Sequence, residues 1–357
     1  MKIAIYGLPC AGKTHILKKV EGLEALEGSS LLKTIAPDFH ERTPAEKEIA
    51  RKQLAKRLGA KDGFIMDGHY AFGSNVVFTE EDKALYDVFL YLRIDPEIIR
   101  QRMTASEKNR GYAALDIERW QELEIKELRG HCHEANKDFY VLDNPSSGSF
   151  EDVTPVLDLI YEINRGFSCV GFAKSIAEDI CRHSPDREIT LVDGDGTLTP
   201  DDTAFVAYGY RTDVFDGNYY TGYQSLLHQR ALERAIASKK SGHADSYVPP
   251  IARFAQDLDP KSTFILTSGP KRIWKSVAES LSFSLFSGPE ISADTKYFVS
   301  KFLQTSGRRV LAYGDSMNDY YMLKEASVGF LVEKPDGTIS RSLRDADLKG
   351  LSRVRHE

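Results

Sequence analysis

The sequence predicts an α/β protein made of two doubly wound domains, and three observations carry that expectation. The chain has 357 residues, 41% of them hydrophobic and 28% charged, which is enough material for two cores at about 100–200 residues per domain. Short apolar runs alternate with longer polar or amphipathic stretches, the pattern of βα units that build a mostly parallel sheet, and the series occurs twice. Each series opens on an apolar run that ends in a glycine-bearing charged loop, GLPCAGKT at 7–14 and DGDGT at 193–197.

In the first series the expected strands are 3–6, 31–35, 64–66, 88–92 and 139–142, with helices beginning after Thr14, Thr43, Asp95 and Asp116. NPSSGS at 144–149 is turn chemistry, and 151–164 reads as a closing helix with apolar Val153, Val156, Leu157 and Ile160. A helix over 172–182 and the polar joint HSPDR at 183–187 follow. The expected organisation is therefore a first domain over 1–165, a linking helix over 166–187 and a second domain over 188–357.

The second series has expected strands at 189–192, 264–267, 310–313 and 328–332. Between the first two lies an insert over 199–262, too long for a simple βα connection and expected to form a cap. It is rich in tyrosine (Tyr208, Tyr210, Tyr219, Tyr220, Tyr223). Core packing of those rings is favoured over stacking on a substrate.

Composition narrows the function classes. With 47 Lys+Arg against 53 Asp+Glu the net charge is −6, which removes overall positive charge as an argument for nucleic acid or an anionic membrane. The four cysteines, Cys10, Cys132, Cys169 and Cys181, show no C-x-x-C pair, which suits free thiols in a reducing cytoplasm. The N-terminal apolar stretch is far shorter than a membrane span and reads as a buried strand.

The loop Gly7-Leu8-Pro9-Cys10-Ala11-Gly12-Lys13-Thr14 matches G-x-x-x-x-G-K-[ST] between a strand and a helix. In such a loop backbone N–H groups face a phosphate, Gly7 and Gly12 allow close approach, Lys13 neutralises charge and the Thr14 hydroxyl ligates Mg²⁺. Asp67 ends the strand at 64–66, where a carboxylate can hold Mg²⁺ or its water, and His69 follows as a candidate to orient a nucleophile. Together with VFLYLRIDPEIIRQRM at 88–103 and Arg110-Gly111-Tyr112, these residues resemble the small adenylate-kinase-like P-loop family of archaea and eukaryotic nuclei over most of 1–145. The resemblance implies a P-loop NTPase fold that binds ATP and Mg²⁺, with Asp67, His69 and Arg110 close to the transferred phosphate. Arg100 and Arg102, on the helix before Arg110, are candidates to clamp phosphate oxygens. Residues 30–61 do not match the family's acceptor segment. They contain a basic helix with Lys47, Arg51, Lys52, Lys56 and Arg57, and before it Asp38, a candidate acceptor-site acid or base.

In the second series Asp193-Gly194-Asp195-Gly196-Thr197 matches D-x-D-G-T, with a carboxylate at a strand end and a second acid two residues on. Leu266-Thr267-Ser268-Gly269 and Gly314-Asp315-Ser316-Met317-Asn318-Asp319 end two further strands, and acids clustered in this way need a divalent cation beside a dianionic substrate. In this order the elements resemble the haloacid dehalogenase-like hydrolases, especially the phosphoserine-phosphatase-like branch, over about 188–332. The resemblance implies a Rossmann-like fold with a helical cap. It implies Asp193 as nucleophile, Asp195 as general acid and base, and Ser268 as a phosphoryl contact. Mg²⁺ would be held by Asp193, Asp315 and the Asp195 carbonyl, with Asp319 supporting that shell. Lys296 is the expected phosphate-neutralising lysine, with Lys301 as the alternative.

The expected protein is a cytoplasmic, bifunctional Mg²⁺-dependent enzyme, an ATP-dependent kinase joined to an aspartyl-phosphate-forming phosphatase. Its expected partners are ATP and a small nucleotide-like or other phosphomonoester, with no membrane. Two alternatives stand beside it: a polynucleotide 5′-kinase/3′-phosphatase, which makes nucleic acid the less favoured partner, and an ATP-driven assembly or signalling switch.

Overall fold

The computed structural model describes residues 1–217, 219–238 and 248–356. It has two compact units, Met1–Gly166 and Phe167–Glu357. Both are α/β, with parallel sheets and flanking helices.

The first unit contains β1 (Lys2–Tyr6), α1 (Lys13–Leu17), β2 (Ala25–Leu26), α2 (Gly28–Ile35), α3 (Pro44–Gly59), β3 (Phe64–Asp67), the short hairpin of β4 (Ala71–Phe72) and β5 (Asn75–Val76), α4 (Glu80–Leu85), β6 (Val88–Leu92), α5 (Pro96–Ala105), α6 (Ile117–Ala135), β7 (Asp138–Leu142) and α7 (Thr154–Asn164). Its main sheet has the order β2-β3-β1-β6-β7, with every pairing parallel. Chain order reverses direction at β1, so the loop after β1 opens at a switch point of the sheet, the place where open α/β sheets leave a crevice.

Helix starts follow local capping chemistry. Thr43 and Glu46 form a reciprocal capping box before α3, with Pro44 in the first turn. Asp95 accepts from Glu97 and Ile98 N–H at the start of α5, and Asp116 from Arg119 N–H at the start of α6. One expected element is corrected: 31–35 is not a strand but the second half of α2, and the edge strand is the two-residue β2. Leu32 and Ile35, three apart, lie on one helical face against Ala36, Phe39 and Ala50. A five-residue apolar run satisfies either period, and here the packing partner chose the helical one.

The second unit contains α8 (Cys169–His183), β8 (Glu188–Val192), α9 (Thr203–Tyr208), α10 (Gly222–Ser238), β9 (Thr263–Thr267), α11 (Lys271–Leu281), β10 (Ser284–Ser287), α12 (Ala293–Thr305), β11 (Arg309–Gly314), α13 (Met317–Glu325), β12 (Val328–Glu333) and β13 (Ser352–Arg355). Its sheet has the order β10-β9-β8-β11-β12-β13, again parallel throughout. The central strand β8 carries the switch point. The segment read as a linking helix is instead α8, whose Ala173, Ile176, Ala177 and Ile180 join Phe298, Val299 and Leu303 of α12 in the main core. That cluster places α8 inside this unit's core, and burying its isoleucines stabilises by about 1.5–3 kcal/mol each. The described part of the 199–262 insert contributes α9 and α10; residues 218 and 239–247 of it lie outside the described residues. Tyr208 and Tyr210 pack into a core cluster with Ile265 and Trp274, and Tyr223 is 1% exposed.

Among the described residues no helix is long and apolar enough to cross a membrane.

Candidate functional sites

In the first unit the loop between β1 and α1 is built for close approach. Gly7 has φ +146°, and a Cβ there would lie 2.7 Å from the Leu92 carbonyl oxygen, so no larger residue fits. Gly12 precedes α1, and Lys13 folds back so that its Nζ donates to the carbonyls of Gly7 (2.5 Å) and Leu8 (3.0 Å). Burial pushes the Lys13 ammonium down to about 8, against the pull of Asp67 and Glu124. Thr14 Oγ1 donates to Asp67 Oδ2 at 3.0 Å, and the Gly28 N–H donates to Asp67 Oδ1 at 2.8 Å. The hydroxyl and carboxylate are therefore side by side next to the lysine, an oxygen pair suited to a hard divalent cation.

His69 follows β3 and is largely buried, with its Nδ1 finding no hydrogen-bond partner among the described residues. Burial and then the nearby Lys13 and Lys108 hold its pKa well below the ordinary value, so the ring is neutral. Lys13, Thr14, Asp67 and His69 line one cavity of about 430 Å³, within the range of small-molecule sites.

Other expected residues lie elsewhere. Asp38, expected as an acceptor-site acid or base, forms an exposed i,i+4 pair with Arg42 at 2.8 Å. Arg100 donates to the carbonyls of Ala113 and Leu115 and pairs with Glu97, and Arg110 Nε donates to the Thr104 carbonyl. Those two brace the segment between α5 and α6. None of the three lines the cavity. Arg102 is closer to expectation, with Nη1 3.4 Å from the carbonyls of Cys10 and Ala11 in the phosphate loop.

Sequence reading missed Glu124 on α6. It is 2% exposed and accepts from Ala71 N–H (3.1 Å), Tyr91 Oη (2.9 Å) and Trp120 Nε1 (2.9 Å). Burial pushes it up to about 7 in spite of those hydrogen bonds. By holding Ala71 it fixes the start of β4, two residues after His69. Charge counting alone does not distinguish it from a solvated helical Glu with neighbouring acids.

In the second unit three acids and a lysine converge beyond β8 and β11. Oxygens of Asp193, Asp315 and Asp319 lie within 4.8 Å of one another. Lys296, fully buried on α12, donates to Asp193 Oδ1 at 2.5 Å and Asp319 Oδ1 at 2.7 Å. The spacing Ser316-x-x-Asp319 explains this orientation: it is the capping box of α13. Asp319 Oδ2 accepts from Asp315 N–H, Ser316 N–H and Ser316 Oγ, which leaves Oδ1 for the lysine. Lys301 instead sits over the rings of Tyr297 and Phe298.

Burial, then Asp319, pushes the Asp193 carboxyl up, against the pull of Lys296. Asp315 is raised well above the carboxylate range by burial, then by Asp319 and Asp193. Burial alone would lower Lys296, but its two carboxylate partners outweigh it and raise it. Three carboxylates sharing one buried spot with a single ammonium leave excess negative charge. The donor set therefore fits a divalent cation held by Asp193 and Asp315, with Thr197 Oγ1 also 3.5 Å from Asp315.

Asp195 does not join that cluster by its carboxylate. Its Oδ1 accepts from Thr203 N–H at 2.7 Å and its Oδ2 faces Trp274 Nε1 at 3.4 Å. Burial and then Asp202 push it up to about 6, a value suited to a group that gives and takes a proton near neutrality. Gly196, at φ +80°, passes so close that a Cβ would sit 2.5 Å from Asp315 Oδ2. Ser268 ends β9 half-buried, its carbonyl accepting from the Gln229 side chain of α10. Sequence reading also missed Thr203, eight residues past Asp195, and Gln229 and Trp274, whose contacts with Ser268 and Asp195 lie far along the chain.

Residues 6–121 match a family model described as an AAA domain. No curated protein matches the sequence. Among solved structures, the chain is similar to shikimate kinase from Acinetobacter baumannii in complex with shikimate, at 17% identity, 45% of this chain, 93% of that one and TM-score 0.34. It is similar to a HAD family hydrolase from Salmonella enterica serovar Typhi, at 14% identity, 48% and 69% coverage and TM-score 0.32. A substrate-bound phosphoserine phosphatase matches at 15% identity, 42% and 87% coverage and TM-score 0.28.

Proposed function

We propose that the protein is a Mg²⁺-dependent bifunctional enzyme. Its first unit transfers the γ-phosphoryl group of ATP to a small acceptor, and its second hydrolyses a small phosphomonoester through an aspartyl-phosphate. One observation supports both halves: each unit gathers a buried lysine and carboxylate oxygens suited to a cation at the carboxyl ends of neighbouring parallel strands, β1 and β3 in the first and β8 and β11 in the second.

In the first unit Lys13 and the loop N–H groups bind the ATP phosphates, and Thr14 and Asp67 hold Mg²⁺. The neutral His69 ring lines the same cavity, and its Nδ1 has no hydrogen-bond partner among the described residues, so the ring is available to accept the acceptor's hydroxyl proton as the acceptor oxygen bonds to phosphorus and the bridging bond to ADP breaks. In the second unit an Asp193 oxygen attacks phosphorus and the ester P–O bond breaks, with Asp195 delivering a proton to the leaving oxygen. Asp195 then takes a proton from water, whose oxygen displaces Asp193 from phosphorus and releases phosphate. Bound at Asp193 and Asp315, Mg²⁺ supplies charge neutralisation between the carboxylates and a dianionic phosphate. Lys296 holds Asp193 in place, and Ser268 offers a hydroxyl at the strand end.

The test is a pair of single substitutions assayed for both activities. Asp193→Asn should abolish hydrolysis of p-nitrophenyl phosphate and leave ATP binding intact, and Lys13→Ala should do the reverse. Loss of both functions in either variant would overturn the two-site reading.

A further inference from the structure

Beyond the phosphate loop the same 430 Å³ cavity runs into a region that no catalytic role uses. Its walls are apolar: Phe39, Leu54, Leu58, Met66, Leu85 and Tyr86 line it. Into this lining the basic helix α3 sends one cation. Lys47 donates to the His40 carbonyl, and Lys52 pairs with Glu48 and Glu81 at the surface. Arg51 alone of the helix's basic residues lines the cavity.

The Arg51 guanidinium lies over the Phe39 ring, 5.3 Å from its centroid, and makes no hydrogen bond or ion pair among the described residues. Asp82 also lines the cavity, but its Oδ2 already accepts from Thr79 N–H and Thr79 Oγ1, and it lies beyond ion-pair distance of Arg51. A half-buried guanidinium with its donors unclaimed loses hydration without recovering hydrogen bonds, a cost that a bound anion removes. The guanidinium presents a rigid planar fork, which suits a bidentate anion.

We infer that the kinase acceptor is a compact molecule with an apolar body and an anionic end, carboxylate or phosphate, which Arg51 clamps while the reactive hydroxyl faces His69. This rests on the kinase reading above and assigns its substrate class. The apolar walls set the body of the acceptor and exclude a polyhydroxylated or polycationic one. Arg51 sets its charge and its orientation relative to the phosphate loop.

The test uses the full chain and reads one residue. Phenylglyoxal labelling of Arg51 is quantified by peptide mass spectrometry with phenylphosphonate, phenylacetate or neutral benzyl alcohol present at millimolar concentration. At least fivefold protection of Arg51 by phenylphosphonate or phenylacetate, and none by benzyl alcohol, is expected; whichever anion protects at the lower concentration tells phosphate from carboxylate. Labelling unchanged by both anions, or lowered equally by benzyl alcohol, would overturn the proposal. Binding of a fluorescent ATP analogue, compared between the wild type and Lys13→Ala, is read separately. If Lys13→Ala keeps wild-type ATP affinity the kinase reading fails, whereas loss of Arg51 protection alone removes only the acceptor class.

Discussion

Replacing Lys296 by methionine keeps most of the buried volume and removes the one ammonium among three acids. Its Nζ contacts Asp193 at 2.5 Å and Asp319 at 2.7 Å, with Lys296 and Asp319 fully inaccessible. Deleting one partner of a buried ion pair costs about 3–5 kcal/mol, because the other charge stays buried and uncompensated. Here two carboxylates lose their counter-charge and Asp315 stands nearby, so the upper half of that range is expected near pH 8 without metal. The sign with pH follows from Asp193, which burial and Asp319 already push up. A carboxyl whose folded pKa is raised holds its proton in the folded state after the unfolded chain has released it, so stability falls as pH rises through that interval. Without the lysine Asp193 rises further, and the deficit should shrink as pH is lowered toward 5. Mg²⁺ should also restore part of the loss in the variant. The assay is urea unfolding followed by Trp274 fluorescence in a Trp120→Phe background, since the chain has 2 tryptophans and this leaves only the one in the second unit. A variant as stable as its parent at pH 8 without metal would refute the assignment of Lys296 as the charge that holds the cluster together.

Three further outcomes are expected. Glu124→Gln should flatten a pH dependence of the first unit: with an ordinary value of 4.5 and a folded value of about 7, wild-type stability should drop by about 3 kcal/mol between those pH values, and urea midpoints measured across that range check it. Gly196→Ala should lower phosphatase turnover at least 100-fold, because a Cβ 2.5 Å from Asp315 Oδ2 at φ +80° must displace that carboxylate; p-nitrophenyl phosphate hydrolysis measures it, and ATP binding should not change. Thr14→Val should weaken ATP binding at least tenfold with Mg²⁺ present and much less with EDTA, as titration with a fluorescent ATP analogue will show, because it deletes the hydroxyl beside Asp67.

What could be read from the sequence was what local spacing determines. Strand, loop and helix around Lys13 follow from one contiguous motif, and Asp319 reaches Lys296 because Ser316-x-x-Asp319 caps a helix and turns the second oxygen outward. Asp193 and Asp195 likewise needed only the turn after β8. The misses share the opposite property. A five-residue run at 31–35 fits a strand or a helix until a partner face is known, and Asp38, in the loop after it, pairs with Arg42 and does not line the cavity. Edge strands β10 and β13 carry serine and arginine because half their surface is not buried, so they lack the apolar signature of β1 or β8.

Arg51 and Glu124 mark where local reading ends. One sits in a run of basic residues and the other in a run of acidic ones, and in both runs the neighbours face solvent. Charge counting treats each run as a solvated face, an average that holds for Lys52 and Lys56 but not for the helical position that turns inward. Which position turns inward is set by the helix's apolar stripe: Ala50, Leu54 and Leu58 are buried on α3, and Arg51 precedes Leu54 by three and Ala55 by four, on the flank of that stripe. On α6 the buried set Ile117, Trp120, Gln121, Glu124, Ile125 and Leu128 repeats at three and four, and Glu124 occupies a position the periodicity reserves for an apolar residue. A charged side chain on or beside a helix's buried stripe is thus the sequence signal for both. It finds the two residues only when the stripe is drawn first and the charges are then placed against it.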